Sequence, residues 1–113
     1  MIEQNIDIAF NNQLTSDTFL MGLQSPQMAG GAKPGQFVMI RIRSGLDPFL
    51  RRPFSICGTS GEVILVLYRV VGKGTAIMAE MKTGDRLSVL GPLGRGFDIP
   101  GKDIRCILIA GGL

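Results

Sequence analysis

A chain of 113 residues makes one domain with one core. Its twelve basic and nine acidic residues are dispersed rather than gathered into a Lys/Arg tract, and with one tyrosine and no tryptophan they make a poor nucleic-acid surface. The absence of histidine removes the commonest acid–base residue and metal ligand, so any chemistry has to be borrowed from a bound group.

Sixteen glycines and six prolines divide the chain into short pieces, the pattern of an all-β architecture. The opening "MIEQNIDIAF" places acidic and amide residues where a signal peptide needs positive charge and a greasy run. No stretch is apolar for long enough to cross a membrane. The expectation is a cytoplasmic protein with no membrane and no nucleic-acid partner. "NIDIAF" and "TFLMGL" read as neighbouring strands, the second with Phe19, Met21 and Leu23 on one face. "QMAGGAKPGQ" reads as a turn-rich connection. "FVMIRIR" alternates, with Val38, Ile40 and Ile42 facing one way and Arg41 and Arg43 the other.

"GLDPF" turns the chain into "RRPFSICG", where Pro53 suits a strand start or edge because a missing N–H costs little there. "TSGE" is a tight connection into "VILVLYRVV", the longest β-branched run. Thr75 to Met81 is the one convincing helical stretch, with Ile77, Met78 and Met81 at core-like spacing. "RLSVLGPLG" is a further strand. About six strands with one short helix predict a small antiparallel Greek-key barrel. The closing "DIRCILIAGGL" is a continuous apolar strand followed by a double glycine, the pattern that opens a parallel, nucleotide-binding βαβ unit. The expected division is therefore a barrel over residues 1–101 and the first strand of a second, truncated domain over residues 102–113. Cys57 and Cys106 lie far apart inside apolar runs and are expected to be two buried thiols, neither disulfide nor metal ligands.

Three short motifs carry the chemistry: "RRPFS" (Arg51–Ser55), "LYR" (Leu67–Arg69) and "GKGT" (Gly72–Thr75). On a strand, Arg52, Phe54 and Ile56 share one face and Ser55 points to the other. The planar fork of Arg52 suits a phosphate pair, Phe54 offers a rigid apolar plate, and Ser55 can exchange one hydrogen bond with a ring heteroatom. "GKGT" frees backbone N–H groups at a helix start, where an anion is favoured. Arginine plus helix start is a divided cradle for a diphosphate. A flat ring joined to a diphosphate is a dinucleotide. Arg51 reads as a surface charge or interface contact.

With "LYRVVGKGT", "GDRLSVLGPLGRGF" and "ILIAGG" beside "RRPFSI", the chain resembles the FAD-binding domain of the ferredoxin-reductase superfamily, above all the electron-transfer subunits of type B dihydroorotate dehydrogenases. The resemblance covers nearly the whole chain. It implies that Arg52 binds the FAD pyrophosphate, with Pro53 fixing the turn beside it. Phe54 would lie against the ring or ribityl chain and Ser55 near the N5/O4 edge. Leu67, Tyr68 and Arg69 would form a second FAD-contacting strand, while Gly74 and Thr75 supply amides to phosphate. Many superfamily members carry tyrosine at the position of Phe54. The resemblance further implies an oxidoreductase in pyrimidine biosynthesis, passing electrons between NAD and a dihydroorotate dehydrogenase catalytic subunit through FAD and a [2Fe–2S] centre. The NAD domain and the cluster would lie outside these residues, leaving the fragment catalytically incomplete and prone to self-association through its apolar tail. No residue is assigned a catalytic or metal-binding role. Alternatives are the FAD domain of another NAD(P)H–flavin reductase, or a non-enzymatic β-barrel binding module.

Overall fold

Strict alternation decides which side chains turn inward. In the computed structural model, which describes residues 1–42 and 50–113, Val38, Ile40 and Ile42 are buried exactly where the pattern puts them apart from the outward Arg41. The turn expected around Gly45–Phe49, and Arg43 before it, lie outside the described residues. The elements in chain order are β1 (Ile2–Gln13), β2 (Thr18–Gln24), α1 (Pro26–Gly31), β3 (Phe37–Arg41), β4 (Arg52–Ser55), β5 (Gly58–Ser60), β6 (Val63–Arg69), α2 (Lys73–Ala79) and β7 (Arg86–Leu93). Among the described residues the strands form a single antiparallel sheet in the order β4-β3-β7-β1-β2-β6-β5.

The sheet curls until its two edges meet. The "RRPFSICG" passage does this by changing partners part-way. β4 pairs with β3, and the Ile56 amide still donates to Gln36 O at 3.1 Å, whereas the next amide, Cys57, donates to Leu65 O on β6 at 2.8 Å. One continuous passage thus supplies both edge strands, β4 and β5. Counted as passages rather than ladders, the strands number the six expected. The short connection expected at "TSGE" overlaps the end of β5, because pairing of Gly58–Ser60 with Val63–Leu65 continues down to the turn. Where β1 and β2 shift register between Ile8 and Phe10, the Phe10 ring lies directly over Gly22; a Cβ there would meet it at 2.4 Å.

The helices depart from expectation in instructive ways. The segment read as turn-rich holds α1, whose N-cap Ser25 accepts from the Met28 amide at 3.2 Å with Pro26 opening the helix. Met28 is fully buried. Helix α2 begins and ends two residues earlier than the apolar spacing suggests. Thr75 Oγ1 accepts from the Val71 and Gly72 amides at 2.9 and 3.1 Å, which fixes the loop and starts the helix at Lys73. Met78 is fully buried from α2, and Ile77 and Met81 pack against the same core.

The tail is uncovered, and one further expectation, for the cysteines, fails. Residues 105–113 form no strand in this chain, and Ile107, Leu108 and Ile109 are 86%, 90% and 93% exposed. An apolar strand needs a ladder on its edges and cover on its faces, and no described strand pairs with it. Both cysteines are exposed rather than buried. Cys57 sits where the chain changes sheet edge and turns outward, its neighbour Ile56 taking the inward place; Cys106 belongs to the uncovered tail.

Candidate functional site

Arg52 begins β4 and Gly74 lies in the first turn of α2, yet the fold brings them into contact. A Cβ at Gly74 would stand 2.7 Å from Arg52 Nε and 2.9 Å from the Ile42 side chain, so only glycine lets the arginine lie along the helix start. Arg52 is exposed, and its side chain has no hydrogen-bond or ion-pair partner among the described residues. A guanidinium therefore stands beside the first-turn amides of a helix, which have no intrahelical acceptors. All these groups are donors. Their joint demand is for an anion with several oxygens.

Thr75 is buried, and its hydroxyl is committed to holding the loop before α2, so the backbone rather than the side chain is what it can offer a ligand. Phe54 is half-buried, with one edge of its ring on Tyr68 at a centroid distance of 6.4 Å. Its neighbours Pro53 and Ser55 are exposed, and the Ser55 hydroxyl has no hydrogen-bond partner among the described residues.

The "LYR" motif is split across the sheet. Tyr68 faces the interior, only 2% exposed, stacked on Phe19 at 5.6 Å, with its hydroxyl donating to Asn11 Oδ1 at 2.8 Å. Burial pushes the phenol up to about 12, against the smaller, opposite effect of the Asn11 bond. Leu67 and Arg69 turn to the outer face, where Arg69 lies 3.7 Å from Asp17. The fold therefore unites Arg52 with Gly74 and Phe54 with Tyr68, but sends the side chains of Leu67 and Arg69 the other way.

Arg51, expected as a surface charge or an interface contact, is largely covered within this chain. Its guanidinium donates to Met39 O on β3 at 3.4 Å, to Ser88 O and Ser88 Oγ on β7 at 3.0 and 2.8 Å and to Glu3 Oε1 on β1 at 2.6 Å, which clamps three strands. Asn11 went unnoticed in the sequence. Its amide donates to Met78 O and Met81 O at 2.8 and 3.0 Å, capping the end of α2. Nothing in a strand asparagine so far from its partners along the chain announces such a role. Past Ser55 the chain borders a cleft of about 340 Å³ lined by Lys33, Pro34, Ile56, Cys57, Thr59 and Phe97, within the size of ligand clefts. Phe97 rests against Gly35, whose φ of 93° and 3.1 Å approach leave no room for a side chain.

Residues 5–97 match the oxidoreductase FAD-binding domain family. The chain belongs to that family. Among curated relatives of this FAD-binding domain, the electron transfer subunit of dihydroorotate dehydrogenase B (NAD(+)) from Desulforamulus reducens is 46% identical over 99 residues, covering 86% of this chain and 38% of the relative. The subunit of the same name from Fusobacterium nucleatum is 40% identical, covering 99% of this chain and 42% of its own length. The chain thus spans about two fifths of these relatives. Among solved structures, an NADH-dependent reduced ferredoxin–NADP oxidoreductase superposes with a TM-score of 0.76 at 30% identity, over 84% of this chain and 34% of that one. A ferredoxin NADP+ reductase from Neisseria gonorrhoeae with bound FAD and NADP shares the fold at a TM-score of 0.68 and 20% identity, over 84% and 39% of the two chains. The expected antiparallel, ferredoxin-reductase-type fold is the one observed.

Proposed function

We propose that the chain is the FAD-binding part of an electron-transfer subunit serving a dihydroorotate dehydrogenase. The observation that carries this is the contact of Arg52 with the glycine at the start of α2, which gathers one guanidinium and a set of backbone amides at one point. That donor set fits a diphosphate, and family membership supports FAD as its owner. Arg52 and the amides of Gly74 and Thr75 would hold the diphosphate. Phe54 and Ser55, with Pro53 keeping the edge of β4 open, would meet the ring, and the backbone of Leu67–Arg69 would line the rest. The bound flavin supplies the exchange of electrons one or two at a time, and the protein contributes binding, orientation and tuning.

The names of the relatives support the wider reading. In it, residues 1–101 are the flavin domain and 102–113 begin an NAD-binding domain. Electrons pass between NAD and the catalytic subunit, with a [2Fe–2S] centre held by residues outside this chain, in cytoplasmic pyrimidine synthesis. The chain by itself would then bind flavin without completing a reaction.

Titration with FAD tests this directly. Wild-type chain is expected to shift the visible flavin bands and quench flavin fluorescence on binding. Arg52→Ala should weaken binding about tenfold or more, since a hydrogen bond to a charged group contributes about 1.5–3 kcal/mol. A colourless, non-binding wild type would remove the proposal, and an unchanged Arg52→Ala would remove Arg52 from it.

A further inference from the structure

Two halves of the site stand on different elements: the ring-facing residues on β4 and the phosphate-facing turn on α2. A side-chain bridge joins what lies behind them. Asn11, half-buried on β1, donates to Met78 O at 2.8 Å and Met81 O at 3.0 Å, and accepts from the Tyr68 hydroxyl at 2.8 Å. The last turn of α2 carries no basic residue; Ile77 O and Met78 O accept from the Glu80 and Met81 amides at 3.1 and 3.0 Å, and Asn11 adds a side-chain donor to Met78 O and Met81 O. At the other end of the bridge, the Tyr68 ring backs Phe54 edge-on at 6.4 Å.

The consequence is mechanical. Helix α2 has seven residues, about 10 Å at 1.5 Å per residue, and a rod so short tilts as a unit. Any tilt allowed at Met78–Met81 is transmitted to Lys73–Thr75, where Gly74 lies so near the Arg52 side chain that an added Cβ would meet its Nε at 2.7 Å. We propose that Asn11 is a positioning residue of the FAD site, which sets the angle of α2 and so holds Gly74 against Arg52 in register with the Phe54–Tyr68 ring pair. Asn11 touches neither half itself; it acts through the helix and through Tyr68. The inference rests on the FAD-binding reading above.

The test compares two ligands that share a ring but not a diphosphate, FAD and riboflavin. Each is titrated into wild type, Asn11→Ala and Asn11→Asp, well below the unfolding midpoint of each protein. Asn11→Asp keeps an acceptor for Tyr68 and replaces the donor to the helix by a carboxylate that the Met78 and Met81 carbonyls repel, so it remains informative should the alanine variant fold poorly. A displaced helix start should lower the FAD-to-riboflavin affinity ratio about tenfold in both variants. A lowered midpoint with a ratio within about twofold of wild type would reduce Asn11 to a stability residue and overturn the proposal. Wild type that binds neither ligand would instead sink the FAD reading itself, so the two failures are told apart.

Discussion

Tyr68 lies behind Phe54, inside the barrel rather than on its surface. Its ring is sealed between Phe19 and Phe54 and its hydroxyl is spent on Asn11. The phenol is pushed from the ordinary value near 10 up to about 12 because the charged form would be buried. In this acid the neutral form is favoured by folding, so its contribution to stability is complete below pH 10. As pH rises from 10 towards 12 the unfolded chain releases its proton first, and stability falls. Denaturant unfolding across that range should show the decline in wild type and a flatter profile in Tyr68→Phe; equal slopes would mean that the phenol ionises as freely folded as unfolded. At this scale the sequence was half legible. The Arg52–glycine cradle followed from residue types alone, since arginine and a glycine-rich helix start ask for the same ligand. The division of "LYR" between two faces followed from strand alternation but was obscured by treating the motif as one unit. Arg51 and Asn11 could not be read, because their partners Ser88, Glu3, Met78 and Met81 are brought near only by the closed sheet.

Helix α2 is the element on which the site turns. Met78 anchors it, fully buried in the barrel core. Met78→Ala leaves a cavity and should cost about 2–5 kcal/mol. The cost is measured by urea unfolding with an unchanged slope; a loss under about 1 kcal/mol would mean that the helix end is held by its hydrogen bonds rather than by packing. The strands were legible wherever apolar and polar residues alternate, as in "FVMIRIR". Helix α1 was signposted by Ser25-Pro26, a cap followed by the residue best suited to the first turn, yet the paired glycines behind it argued for a loop. Burial of Met28 outweighed the low helix propensity of Gly30 and Gly31. The change of partner between Ile56 and Cys57 has no local signal, since it is fixed by where β3 and β6 stand.

For the molecule as a whole, the apolar tail is the outstanding liability. Ile107, Leu108 and Ile109 are almost wholly exposed, and a run of this kind seeks cover. The isolated chain is expected to self-associate with rising concentration in sedimentation or light scattering, and Ile107→Asp with Ile109→Asp should return it to a monomer. A wild type that stays monodisperse and monomeric at high concentration would contradict this.

The sheet order carries one more consequence, for the birth of the protein. β1 lies against β7, so that Ile2 waits for Gly91 and Asp7 for Arg86. Strand β1 thus cannot complete its pairing on a ribosome until β7 has emerged, and contacts so distant along the chain make folding slow. During synthesis the β1–β2 hairpin gains β6 on its β2 side first, while the other edge of β1 stays open until β7 is free to close the sheet.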